Sequence, residues 1–172
     1  MAAVTEPLVH IVLVQPLIPP NTGSVGRLCV GTGTRLHLVE PLGFDIDEKA
    51  VRRAGLDYWK DVDLHVHPDW EACKAAIGGP PERWHFLSSH GRTPYTAVPY
   101  APGAVLVFGK ETTGLGEALL DEAGDRLRAI PHFGPVRSLN LAVAAGIVLY
   151  EALRRLRPDA LPTHSSTLDP RP

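Results

Sequence analysis

A regular alternation limits what this chain can fold into. Short runs of aliphatic and β-branched residues are each followed by a stretch with helical spacing, and glycine or proline closes most of them. Residues 8–14 are continuously apolar and predict a buried strand. Residues 22–33 predict a helix that stops at glycine, residues 35–40 a strand stopped by Pro41, and residues 47–54 a short charged helix. Residues 68–77 predict a helix opened by proline and ended by Gly78-Gly79-Pro80-Pro81. Residues 84–88, 104–108 and 126–130 are three further strands, and residues 138–157 form the longest helix. Strands alternating with helices give an α/β fold, with a mostly parallel sheet flanked by helices. One domain is expected over residues 1–157. The Pro-, Ser- and Thr-rich tail, 158–172, is expected to be disordered.

The chain has 172 residues, 44% hydrophobic and 21% charged, which suits one sizeable core. No apolar stretch is long enough to span a bilayer, and the first seven residues lack a basic, cleavable leader. The two cysteines, Cys29 and Cys73, form no close pair, which argues against a disulfide framework. A cytoplasmic protein without membrane contact is expected. The formal net charge of −2 counts against a protein that coats nucleic acid through bulk charge. It leaves room for local clusters such as Arg52 and Arg53, Arg126 and Arg128, or Arg154, Arg155 and Arg157. On a strand, His65-x-His67 would present two imidazoles on one face, but no third ligand is evident, so no metal site is expected.

Parallel sheets bind ligands just beyond the carboxyl ends of their strands. Three of the strands run into loops with distinctive chemistry: Ser89-His90-Gly91-Arg92, Gly109-Lys110-Glu111-Thr112-Thr113-Gly114, and Pro131-His132-Phe133-Gly134-Pro135-Val136-Arg137. If these strands are neighbours, the loops form one pocket with Leu87, Gly109 and Ile130 at its rim. The second loop is neither a P-loop nor a dinucleotide fingerprint, because the required Gly-Lys-Ser/Thr and third glycine are missing. No Gly-x-Ser-x-Gly elbow is present for a serine hydrolase. Ser138 is expected to cap the long helix and aim its first-turn N–H groups at the pocket, with Asn140 in that first turn. Asn21 is expected to cap the earlier helix, where Gly23 and Gly26 permit a close approach. The long helix is apolar on most faces. Either it is a central core helix or a second copy of the chain covers one side.

Three segments, taken in order, resemble the motifs of the SPOUT (trefoil-knotted) RNA methyltransferases. They are Asn21-x-Gly23-x-x-x-Arg27, Leu106 to Leu115, and Ile130 to Val143. The resemblance spans residues 9–157. It is closer still to the branch that methylates the ribose of the tRNA wobble nucleotide, through Ile18-Pro19-Pro20-Asn21-Thr22-Gly23, Arg27-Leu28-Cys29, residues 36–44, and Arg52-Arg53-Ala54-Gly55-Leu56-Asp57-Tyr58. Ser24 stands where that family often has Asn, and Ala142-Val143 where it often has a polar pair.

The resemblance implies a carboxy-terminal trefoil knot, a homodimer, a tRNA substrate and S-adenosyl-L-methionine as methyl donor. It implies cofactor binding by Leu87, Gly109, Ile130 and Ser138, with Gly114 and Leu139 shaping the pocket. It places Arg27, Glu111 and Asn140 at the chemistry, and Asn21, Arg27 and Arg137 on the RNA. Arg27 is expected to act as a cation rather than a base, because guanidinium stays protonated, with Glu111 and Asn140 orienting Arg27 or the ribose. The competing readings are the same reaction on ribosomal RNA, and a non-catalytic RNA-binding dimer of the same fold.

Overall fold

The computed structural model describes residues 6–46 and 57–158. The charged helix expected at 47–54, with Arg52 and Arg53, lies outside the described residues, as does the tail beyond Pro158. Seven strands form one sheet: β1 (Val9–Val14), β2 (Arg35–Val39), β3 (Leu64–His67), β4 (Trp84–Leu87), β5 (Thr93–Pro94), β6 (Ala104–Phe108) and β7 (Leu127–Ala129). Their order is β3-β2-β1-β6-β4-β7-β5, and every pairing is parallel. The sequence reading finds five of them. It misses β3 and β5, whose four and two residues are too short to carry a period.

Four α-helices are described: α1 (Pro19–Thr32), α2 (Trp70–Ile77), α3 (Glu117–Ala123) and α4 (Leu141–Leu156). Parallel strands buried on both faces read as unbroken apolar runs, and Val9–Val14 and Ala104–Phe108 are buried throughout. Val9, Ile11 and Leu13 meet Val25 and Cys29 of α1 and Ala145, Val148 and Leu149 of α4 on one face. Val12, Val14, Val105 and Val107 meet Cys73 of α2 and Ala123 of α3 on the other. Among the described residues, no helix is long and apolar enough to cross a membrane.

Two helix starts differ from expectation. Helix α1 begins at Pro19, and its N-cap is Ile18, so Asn21 lies inside the first turn. Prolines at the first two positions lack the N–H groups that a capping side chain would satisfy. Helix α4 begins at Leu141 and is capped by Asn140 rather than Ser138. The Asn140 Oδ1 accepts from the N–H groups of Ala142 (2.9 Å) and Val143 (3.3 Å). An amide caps with its oxygen and keeps two N–H donors for other partners. Helix α2 is also capped by a side chain, Asp69, whose Oδ1 accepts from Ala72 N–H at 2.8 Å. Gly33, with φ of 66°, ends α1 in the left-handed conformation, at the glycine expected from sequence.

The α4 helix is not central within this chain. Leu141, Ala145, Val148, Leu149 and Ala152 are buried along one stripe, whereas Val143 and Tyr150 on the opposite side are more than half exposed.

His85 on β4 is buried edge-on against Tyr100, and neither ring nitrogen has a partner. Burial, aided by Arg128 and Arg126, pushes its pKa from the ordinary 6.5 down to about 4. The folded chain therefore binds fewer protons at His85 than the unfolded chain does. The stability held above pH 6.5 is lost as pH falls towards 4. A His85→Gln variant should flatten the pH dependence of unfolding free energy in that window by about one proton, measured by urea titration at several pH values.

Candidate active site

The order of the strands reverses direction at β1, with β2 on one side and β6 on the other. Loops leaving β1 and β6 therefore diverge to opposite faces and open a crevice at the carboxyl edge. Register aligns Leu87 with Phe108 and with Arg128, so β4, β6 and β7 end at one level. A cleft of about 480 Å³ lies there, within the size range of ligand pockets, about 300–1,000 Å³. The residues after β4, after β6 and from Ile130 to the start of α4 form its walls.

Ten of the residues expected at the site line this cleft: Asn21, Leu87, Gly109, Glu111, Gly114, Ile130, Arg137, Ser138, Leu139 and Asn140. A hydrogen-bonded chain joins the three motif segments. The Glu111 carboxylate accepts from Leu17 N–H (2.8 Å), Ile18 N–H (3.1 Å) and the Asn21 side-chain amide (3.2 Å). The Asn140 amide donates to Asn21 Oδ1 at 2.9 Å, while its own oxygen caps α4. Glu111 thus sits at the positive end of α1, where a negative charge is favoured. Glu111 and Asn140 hold Asn21 and two helix ends rather than Arg27.

The loop after β6 closes on its own main chain. Lys110 and Gly114 exchange both hydrogen bonds, at 3.0 and 2.8 Å. A Cβ on Gly109 would lie 2.1 Å from the Gly114 carbonyl carbon, so only glycine fits. Gly114 has a φ of 66°, a conformation open to glycine. On the opposite wall, the His132 ring donates from Nδ1 to the Ile130 carbonyl at 2.7 Å. Arg128 Nε and His132 Nε2 are buried there without a partner among the described residues.

Arg27 is not in the cleft. It lies on the exposed side of α1 with its guanidinium 4.6 Å above the Tyr58 ring, a cation–π contact. The Tyr58 hydroxyl donates to the Gly23 carbonyl at 2.7 Å, and burial raises its pKa above the ordinary tyrosine value. Gly26, one position before Arg27, leaves room for Trp59, whose ring a Cβ would meet at 2.6 Å. Gly26 thus receives the Trp59 ring, and the Gly23 carbonyl the Tyr58 hydroxyl.

Similarity to known proteins fits this geometry. The sequence pattern of the SpoU rRNA Methylase family matches residues 8–150. The chain belongs to that family. The family's SPOUT fold carries the trefoil knot that the resemblance implies. One curated relative, the tRNA (cytidine(34)-2′-O)-methyltransferase of Methylovorus glucosotrophus (strain SIP3-4), is 47% identical over 146 residues, 84% of this chain and 94% of that protein. The enzyme of the same description from Burkholderia pseudomallei (strain 1106a) is 45% identical over 147 residues, 85% of this chain and 94% of that protein. A solved structure described under the 2-OH methylation of C/U34 on tRNA has a TM-score of 0.79 and 42% identity, covering 87% of this chain and 97% of that one. The AdoMet-bound rRNA methyltransferase from Sinorhizobium meliloti has a TM-score of 0.74 and 26% identity, covering 88% of this chain and 58% of that one.

Sequence reasoning missed the Glu111–Asn21 contact and Tyr58 as the resting place of Arg27. The first had a signal. A helix opening on Pro19-Pro20 after an uncapped Ile18 leaves main-chain donors that need an acceptor from elsewhere. Glu111→Ala should remove that acceptor and cost about 1–3 kcal/mol of stability, read by chemical denaturation, with weakened cofactor binding in calorimetry.

Proposed function

We propose that this SpoU-family chain methylates the ribose 2′-hydroxyl of nucleotide 34 in tRNA, with S-adenosyl-L-methionine as methyl donor, and works as a homodimer in the cytoplasm. The observation that carries the reading is near-full-length similarity to relatives described by that reaction, one at 47% identity. The cleft supports it. Leu87, Ile130 and Leu139 offer apolar walls for a flat base, the unpartnered Arg128 Nε offers a donor, and His132 Nε2, with the ring proton on Nδ1, offers an acceptor. Leu87, Gly109, Ile130 and Ser138 would hold the cofactor, with Gly114 and Leu139 shaping its seat. When bound, the cofactor supplies a methyl group made electrophilic by a cationic sulfur.

The chain's own task is to make a poor nucleophile reactive. A ribose hydroxyl needs alignment and a cation beside the oxygen on which charge develops. Arg27 is the residue proposed for that role. It lies outside its own cleft, on the open side of α1, and that side also bears the exposed Val30. The neighbouring α4 leaves Val143 and Tyr150 open. A second copy covering these two helices would bury that apolar surface and bring Arg27 towards the partner's cleft. Asn21 and Arg137 at the cleft, with Arg27, would meet the RNA. Phe133, fully exposed on the loop that walls the cleft, suits stacking on a base.

Arg27→Ala should fold and bind cofactor while losing methyl transfer by about 100-fold or more. Co-expressing it with a chain carrying Arg27 and a dead cleft (Gly109→Val) should restore activity through the mixed dimer. No restoration would place Arg27 in its own subunit's site. Labelled cofactor with total RNA, followed by mapping of the modified nucleotide, should find label at tRNA position 34. Label confined to ribosomal RNA would overturn the substrate assignment.

A further inference from the structure

Away from the cleft, on the α2 side of the sheet, β1 to β3 carry a row of histidines. Parallel pairing sets His37 opposite His65 and Val39 opposite His67, so His37 and His67 share a face and are diagonal neighbours. Their rings lie nearly in one plane direction, tilted by 17°, with His37 Nδ1 2.9 Å from His67 Nε2. The far nitrogen of His37, Nε2, is 2.9 Å from His10 Nδ1. Helix α2 crosses this face and places Cys73 above the pair. The ligating atoms of His37, His67 and Cys73 all lie within 4.8 Å of one another, and all three residues are buried. His65, which the sequence pairs with His67, stacks on the His37 ring with centroids 5.3 Å apart and hydrogen-bonds Asp63 at 3.0 Å, so it is half-exposed and is not among the three converging ligand atoms.

We propose that His37, His67 and Cys73 form a binding site for a zinc-class transition-metal ion. Two imidazoles and a thiolate are a donor set suited to tetrahedral zinc, and three protein ligands leave a fourth position for water. The set contains no oxygen donor, which disfavours magnesium and calcium. The two nitrogens need to part only from 2.9 Å to about 3.3 Å to accept an ion between them at ordinary zinc–nitrogen distances. His10 supplies the orientation that metal-bound histidines require. With the His37 proton on Nε2 and donated to His10 Nδ1, the His37 Nδ1 lone pair faces the site. His67 lies at the end of the edge strand β3, which gives the ion a way in. Binding forms one metal–sulfur and two metal–nitrogen bonds, and the Cys73 thiol proton passes to solvent. No oxidant or reductant is needed. The proposal is independent of the methyltransferase reading.

Cobalt is the direct probe. The full chain, stripped with chelator, should bind one equivalent of Co2+ with a thiolate-to-cobalt charge-transfer band and the ligand-field absorption of a tetrahedral site. Zn2+ should then bleach both. Cys29 is the only other cysteine in the chain, so Cys73→Ser should abolish the charge-transfer band and Cys29→Ser should leave it. His67→Gln, at the sheet edge, should weaken binding by about 10-fold or more if Cys73→Ser fails to fold. His65→Gln should change nothing. Zinc should raise the Tm of the wild-type chain and not that of folded Cys73→Ser. No cobalt binding, binding without the thiolate band, or an unchanged band in His67→Gln would overturn the proposal.

Discussion

At the boundary between β1 and β6 the chain leaves the sheet towards opposite faces, and the main-chain donors of Leu17 and Ile18 face the gap. The Glu111 carboxylate fills it. It binds both donors and the Asn21 amide, and Asn21 in turn holds Asn140, the cap of α4. Three segments separated by about ninety and thirty positions become one rigid unit through four side-chain contacts. The cleft walls depend on that unit, because the start of α1, the loop after β6 and the start of α4 all take their positions from it.

The parallel sheet was legible because its long strands are buried on both faces and read as unbroken apolar runs. The meeting of three loops followed from strand adjacency, and the structure gathers ten of the expected residues at one cleft. Helix starts were less legible. Asn21, Ser138 and Asn140 are all competent caps in isolation; Pro19-Pro20 start α1 ahead of Asn21, and the distant Asn21 takes the amide donor of Asn140 at the start of α4. The short strands Leu64–His67 and Thr93–Pro94 gave no period to detect. The His37–His67–Cys73 cluster was invisible for a related reason. Its members come from β2, β3 and α2, and sequence spacing offers the pair His65 and His67, of which only His67 joins the cluster.

Arg27 separates two kinds of information. Its spacing from Asn21 marks it within a family motif, yet its position in the chain's own fold is on an open helix face, parked over Tyr58. The residues that shape the cleft are held by contacts within one chain. Among the described residues Arg27 rests on the Tyr58 ring, and a cation–π contact at an exposed position is worth about 0.5–1 kcal/mol.

Apart from the anchoring Glu111 carboxylate, the loop after β6 is closed by main-chain atoms: paired Lys110 and Gly114, with Gly109 pressed against the Gly114 carbonyl. Its shape therefore makes no demand on the side chains of Lys110, Thr112 and Thr113, which nonetheless line the cleft. At these three positions scaffold and lining are uncoupled. Over evolutionary time such a loop can exchange the chemistry it shows a bound molecule while the glycines stay fixed, so selectivity can drift without the fold being renegotiated.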